Sequence, residues 1–174
     1  NADEFVDRKI ISVEKETILN GAGINLEIYE CKPYPKSDPP HFLYLGRIMK
    51  EKGMDELFSA AEKLHDDGYK FVLDLVGFLE DEYKERVELL ESKGVVKFHG
   101  FQEEPRPYYA SADCVVMPSY HEGMSNVNLE ASATGRPVIT TNIPGCRESV
   151  ENEYTGWLCG PKSIDGHYVI VIAF

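Results

Sequence analysis

The sequence predicts an α/β domain, a doubly wound, Rossmann-like parallel sheet with helices on both faces. Three observations carry this. Apolar runs of about four to six residues recur along the chain; stretches of about 8–14 residues with helical i, i+3, i+4 spacing lie between them; and the joining segments are short and punctuated by Gly or Pro. Strands that alternate with helices pair in parallel, because each helix carries the chain back across the sheet.

Residues 1–16 are charged and weakly periodic, and read as a connector or the remnant of a preceding N-terminal domain; the domain proper is 17–174. Thr17-Ile18-Leu19 reads as a first strand, ended by the turn Asn20-Gly21-Ala22-Gly23. The four prolines between Cys31 and Pro40 make that segment a loop. Phe42 to Gly46 is a buried strand, and Met54, Leu57, Phe58, Ala61, Leu64 and His65 then mark a helix of about 13 residues stopped by Gly68. Phe71 to Gly77 is the next strand; Tyr83, Val87 and Leu90 mark a helix closed by Gly94; Val95 to Gly100 is a strand. Tyr108, Tyr109 and Ala112 predict a short helix starting near Pro105, and Cys114 to Met117 a strand. A turn with Gly123 at its tightest point leads into a helix from about Ser125 to Gly135. Pro137 to Thr141 is a strand, Glu148 to Asn152 a short helix, and Gly156 to Cys159 the last strand. Residues 161–174 lack an amphipathic helical pattern and end apolar, an atypical tail that reads as a surface covered by a second copy or another domain.

With 174 residues, 43% of them hydrophobic, the chain can bury one core. A net charge of −12 argues against nucleic acid or an anionic membrane surface as the main partner, since both select clustered Lys and Arg. No run of apolar residues is long enough to span a bilayer, and the N-terminus does not resemble a signal peptide. Four scattered cysteines, Cys31, Cys114, Cys146 and Cys159, give neither a zinc pattern nor a disulfide framework and fit a reducing cytoplasm. No protein-held metal is expected. The absence of an initiator Met and the abrupt apolar end read as a piece of something longer.

The site lies at the carboxyl edge of the predicted sheet, where open α/β sheets bind ligands. The helix starting near Ser125 presents unpaired N–H groups and the positive end of its dipole, a seat for phosphate. Two acids bracket that seat, Glu122 on the loop and Glu130 in the helix. Acids there make sense if the ligand carries hydroxyls on both sides of its phosphates, because a carboxylate accepts two hydrogen bonds from a vicinal diol. After the Phe42 strand, Gly46-Arg47-Ile48-Met49-Lys50-Glu51-Lys52-Gly53 offers the planar fork of Arg47 and the point charge of Lys52 for a diphosphate. Phe101, past the Val95 strand, offers a flat face for a base. Spacing alone leaves plainer readings open: Glu122 as a helix-start charge, Glu130 as solvated surface, Arg47 and Lys52 paired to Glu51 or Asp55, Phe101 in the core. Ser119 and Ser125 lack a placed triad partner. His65 rides a helix face, and His121 borders Glu122.

Taken together, Gly46-Arg47, Lys52-Gly53, Leu75-Val76-Gly77, Phe98-His99-Gly100-Phe101, Asp113 to Ser119, Glu122-Gly123, Glu130-Ala131, Gly135 to Ile139 and Pro144-Gly145 with Glu148 resemble the C-terminal donor-binding domain of a family 4 (group 1) retaining glycosyltransferase. The likeness covers about residues 17–160. It implies a two-domain GT-B enzyme of which this chain is the C-terminal half, using a nucleotide-diphosphate sugar and no metal or other cofactor. It implies Arg47 and Lys52 on the diphosphate and Glu122 on the sugar hydroxyls, these three being the candidate catalytic residues. It implies donor contacts from Gly46, Gly77, the backbone of Gly123, Met124, Ser125, Asn126 and Val127, Glu130 on the ribose diol, and Phe101 beside the base. The acceptor, a glycan or lipid-linked glycan in cell-envelope or capsular polysaccharide synthesis, would be held by the absent N-terminal domain. The full-length enzyme is then expected in the cytoplasm, peripheral to the inner face of the membrane, and this half alone inactive. The family's loop often reads Glu-Gly-Phe-Gly, where Met124-Ser125 stands here, so the sugar pocket is expected to differ in shape. Other readings are a non-catalytic nucleotide-sugar-binding module, or another GT-B enzyme such as a sugar-nucleotide epimerase or a phosphorylase.

Overall fold

The computed structural model describes residues 6–10, 12, 14, 21, 23–166 and 168. The proposed strand at Thr17–Leu19, most of 1–16 and the apolar end of the tail lie outside the described residues; within the tail, 164–166 take helical geometry.

Among the described residues six strands form one parallel sheet: β1 (His41–Leu45), β2 (Val72–Val76), β3 (Val96–Phe98), β4 (Cys114–Met117), β5 (Val138–Thr141) and β6 (Gly156–Cys159). Their spatial order is β3-β2-β1-β4-β5-β6, and every pairing is parallel. The helices are α1 (Met54–Asp66), α2 (Lys84–Ser92), α3 (Arg106–Ser111) and α4 (Asn126–Ala133). Side chains alternate across each strand and so divide the core in two. Phe42, Tyr44, Leu73, Leu75, Val116 and Ile139 pack with Met54, Leu57, Phe58 and Ala61 of α1 and Val87 and Leu90 of α2. On the opposite face Leu43, Val76, Val115 and Val138 pack with Tyr109 of α3 and Ala131 of α4. The sheet is thus covered on both faces, which is why β4 and β5 are apolar at every position except the two threonines of β5, and both of those hydroxyls donate to backbone carbonyls.

Local chemistry accounts for the helix ends. In α1, Asp55 and Glu56 sit in the first turn and Lys63 and His65 in the last, each matched to the sign of the dipole. Its 13 residues coincide with the apolar spacing of the sequence. One element differs. Where a short helix was expected at Glu148–Asn152, a 3-10 turn spans Arg147–Ser149, because Val150 is extended and turns its side chain into the core. Asp74 interrupts the apolar run of β2 and is tolerated because it takes a neighbour on each side, His41 Nδ1 at 3.1 Å and His99 Nε2 at 2.6 Å. Among the described residues no helix is long and apolar enough to cross a membrane. All four cysteines are free thiols, and Cys114, Cys146 and Cys159 are buried.

Candidate functional site

After β1 the chain leaves toward α1 on one face, and after the neighbouring β4 it leaves toward α4 on the other. The order of the sheet reverses there, and a crevice opens between the two carboxyl ends. The two outgoing loops touch. Gly53 sits at φ +71, so close to the β4 loop that a Cβ would stand 2.1 Å from the Pro118 carbonyl oxygen; only glycine fits. The Tyr120 N–H donates to the Glu51 carbonyl at 2.9 Å and seals the contact.

This closeness brings Lys52 to Glu122, 70 residues away: Nζ donates to Glu122 Oε1 at 2.6 Å. Ser119 Oγ, fully buried, donates to the same oxygen at 2.8 Å. Lys52 is therefore paired with neither Glu51 nor Asp55; Asp55 accepts instead from Arg86 at 3.3 Å and from the Tyr83 hydroxyl at 3.1 Å. Glu122 is no free helix-start charge either. Beneath the pair, Tyr44 donates its hydroxyl to the Arg47 carbonyl at 2.6 Å, and burial together with Glu122 holds that phenol far above its ordinary range. Arg47 itself is exposed and has no ion pair among the described residues.

Gly123 is not the tightest point of the β4–α4 turn. It is exposed, and a Cβ there would meet nothing within 4 Å. The constraint falls on Gly145, at φ +87, where a Cβ would stand 2.5 Å from the Glu122 carbonyl oxygen. The turn is wide and is closed from outside by the loop after β5, whose Gly145 carbonyl accepts the Ser125 N–H at 2.8 Å. Ser125 caps α4 by accepting the Asn128 N–H on its Oγ at 3.3 Å, a capping role rather than a nucleophile's. Asn128 Nδ2 anchors the helix to Thr140 and Ser149. Met124 packs against Gly21, where a Cβ would come within 2.7 Å of it.

Beside this cluster lies an open cleft of about 420 Å³, lined by Gly46, Arg47, Gly77, Phe101, Val127 and Glu130 of the expected residues, and also by Tyr29, Phe78 and Gln102. Phe101 is not core: it is 54% exposed and stacked on Phe78, ring centroids 4.4 Å apart and planes 12° from parallel. Glu130 is not solvated surface: its Oε2 accepts the hydroxyl of Tyr109 at 2.7 Å, a residue with no exposure. Lys52, Glu122, Gly123, Met124, Ser125 and Asn126 are not among the residues that line this cleft. Two other cavities fit a ligand less well. A gap of about 20 Å³ under α1 is wholly apolar, and a groove of about 410 Å³ beside Glu104 and Arg106 has most of its charges paired, Arg106 holding the Glu104 carboxyl down to about 2 and Lys32 bonded to Glu30. Among the described residues no group of His, Cys, Asp and Glu is placed to hold a metal ion.

The family described as Glycosyl transferases group 1 matches residues 30–167, most of the chain. The chain belongs to the group 1 glycosyl transferase family. One relative, the capsular polysaccharide biosynthesis glycosyltransferase CapM of Staphylococcus aureus, is 34% identical over 119 residues, covering 66% of this chain and 31% of the relative. Among solved structures, a sucrose-phosphate synthase from Thermosynechococcus elongatus superposes with a TM-score of 0.78 at 26% identity, over 98% of this chain and 46% of that one. HepE of Anabaena, solved in complex with UDP-glucose, shares the fold with a TM-score of 0.71 at 23% identity, over 87% of this chain and 45% of that one. The chain therefore spans about a third to a half of the length of these members.

Within this group 1 domain the motif residues meet at the switch point between β1 and β4 although they come from separate loops. Sequence reasoning missed Tyr29, Phe78 and Tyr109, and weighed Ser119 as a nucleophile rather than as a donor to Glu122. Phe78 had a signal, since it directly follows a predicted strand at the ligand edge. Tyr109 looked like an ordinary apolar position of α3, and Tyr29 lay in a stretch without pattern.

Proposed function

We propose that this chain is the donor-binding half of a retaining group 1 glycosyltransferase, which moves a sugar from a nucleotide-diphosphate sugar to an acceptor glycan. The observation that carries the reading is the switch-point cleft, where a carboxylate (Glu130), an exposed guanidinium (Arg47) and an exposed aromatic face (Phe101) line one space. That set matches the chemistry of a nucleoside diphosphate: a diol for the acid, phosphate oxygens for the planar fork, a flat base for the ring. HepE, of the same fold, was solved with UDP-glucose, which supports the ligand class. The CapM relationship supports a place in polysaccharide synthesis.

In this mechanism Glu122 faces the donor sugar, held by Lys52 and Ser119. Lys52 Nζ spends one of its three donors on Glu122 and keeps the others for the diphosphate. Arg47, Lys52 and the N-terminus of α4 then stabilise the departing nucleoside diphosphate, on which negative charge grows as the glycosidic bond breaks. The acceptor would be held by a second domain, as the greater length of the relatives supports. The full enzyme would work in the cytoplasm, at the membrane where the acceptor is lipid-linked.

The test is a thermal-shift and calorimetric titration with UDP, GDP, ADP and their sugars, with Mg²⁺ and with chelator, beside Glu130→Ala and Arg47→Ala. One nucleoside diphosphate at a hundredfold excess over its Kd should stabilise the chain by about 2.7 kcal/mol. The effect should be indifferent to metal and largely lost in both variants. Failure of every nucleotide to bind, or full affinity in Arg47→Ala, defeats the reading.

A further inference from the structure

Glu130 does not stand alone in the cleft. Its Oε2 accepts the hydroxyl of Tyr109 at 2.7 Å, and that tyrosine is wholly enclosed between α3, α4 and the sheet. Behind it, Arg136 Nε donates to the Tyr109 carbonyl at 2.9 Å, so the backbone that carries the phenol is itself held. In front, the ring of Tyr29 meets Tyr109 edge to face, centroids 6.0 Å apart and planes at 80°, while also lining the cleft. Burial first, and then the Glu130 carboxylate, push the Tyr29 phenol up to about 12 and the Tyr109 phenol higher still, so both remain donors at any physiological pH.

A glutamate on a helix surface samples many rotamers and loses that freedom when a ligand orders it. Here a buried phenol has already taken one carboxylate oxygen by a charge-assisted bond, and the Tyr29 phenol at the cleft wall also bonds the carboxylate, so the side chain is fixed with acceptor lone pairs left for a ligand. A carboxylate so fixed accepts a correctly placed hydroxyl without reorganising, and an analogue lacking that hydroxyl leaves it unpaired.

We propose that Tyr109 is the positioning residue of Glu130, and that the Tyr109–Glu130 pair, walled by Tyr29, makes this domain select a ribose over a 2′-deoxyribose nucleotide. The inference rests on the nucleoside-diphosphate reading of the cleft and assigns sugar discrimination in the nucleotide to a residue of α3 that itself points away from solvent.

The test is calorimetric binding of the preferred ribonucleoside diphosphate and of its 2′-deoxy counterpart to the 174-residue chain, to Tyr109→Phe and to Glu130→Asp. The chain should prefer the ribonucleotide by at least about tenfold. Tyr109→Phe keeps the ring and removes the donor: the preference should shrink to within about threefold, through weaker binding of the ribonucleotide, with the deoxynucleotide nearly unchanged. A merely structural role would weaken both ligands alike and leave the ratio intact, and that result overturns the inference. Should Tyr109→Phe fail to fold, Glu130→Asp withdraws the carboxylate from Tyr109 by one methylene and is expected to lose the preference too; retention of the full ratio there overturns the inference as well. A chain that binds both nucleotides equally refutes this inference and leaves the donor reading standing, whereas a chain that binds neither defeats both.

Discussion

Arg136 is 2% exposed and has no ion pair among the described residues; its N–H groups donate to backbone carbonyls, and its guanidinium also lies over the Tyr34 ring, 5.8 Å from the centroid. Nε donates to Tyr109, Nη2 to Pro33 and Ala110, and Nη1 to Lys32 and Gly135, at distances from 2.8 to 3.3 Å. It thereby ties the chain entering β1 to the end of α3, whose terminal carbonyls and negative dipole end favour a cation. Arg136→Met removes this. Pro33 and Lys32 are exposed and can turn to water, whereas the carbonyls of Tyr109 and Ala110 lie under the segment and lose a charged donor. One stranded acceptor, Ala110, and one, Tyr109, left with only the long 3.3 Å bond from the Ala112 N–H, at about 1–3 kcal/mol each and offset by no longer burying a cation, leave a loss of about 3 kcal/mol. For a chain of this size that is a fall in Tm of about 6–12 °C, read by circular dichroism. Arg136→Lys keeps the charge but has three donors in place of five and should fall between the two. A methionine variant melting within about 2 °C of the parent, or a lysine variant indistinguishable from it, would refute the reasoning.

Gly145→Ala should lower the urea midpoint by the equivalent of about 1–3 kcal/mol, because a Cβ at φ +87 would also stand 2.5 Å from the Glu122 carbonyl oxygen, and Gly123→Ala, with open space around it, should cost well under 1 kcal/mol; equal effects would contradict the placement of the constraint. The Tyr29 phenol lies at about 12 in the folded chain against about 10 unfolded, so its contribution to stability is complete below pH 10 and is lost as pH rises from about 10 to 12. Urea midpoints at pH 9, 10 and 11 should therefore fall, and fall less steeply in Tyr29→Phe; parallel slopes would contradict this.

What could be read from the amino-acid sequence was what short-range chemistry controls. The 13 residues of α1 follow from an apolar stripe with a glycine beyond it, and β4 from four apolar residues between Asp113 and Pro118, because backbone hydrogen bonding and side-chain periodicity act over a few residues. Gly46-Arg47, Gly77 and Phe101 also fell at the carboxyl edge of the sheet as expected, since each comes shortly after the end of a strand. Where the sequence reading went astray, the cause lay across the chain: Gly123 looked like the tight turn because nothing local shows that Gly145 packs against it, and 148–152 looked helical because nothing local shows Val150 entering the core. Tertiary structure alone decided the strand order that sets β1 beside β4, and with it the meeting of Lys52 with Glu122, 70 residues apart, and of Tyr109 with Glu130. Such contacts depend on how two elements pack, and a sequence carries the residue types for them without the distance between them.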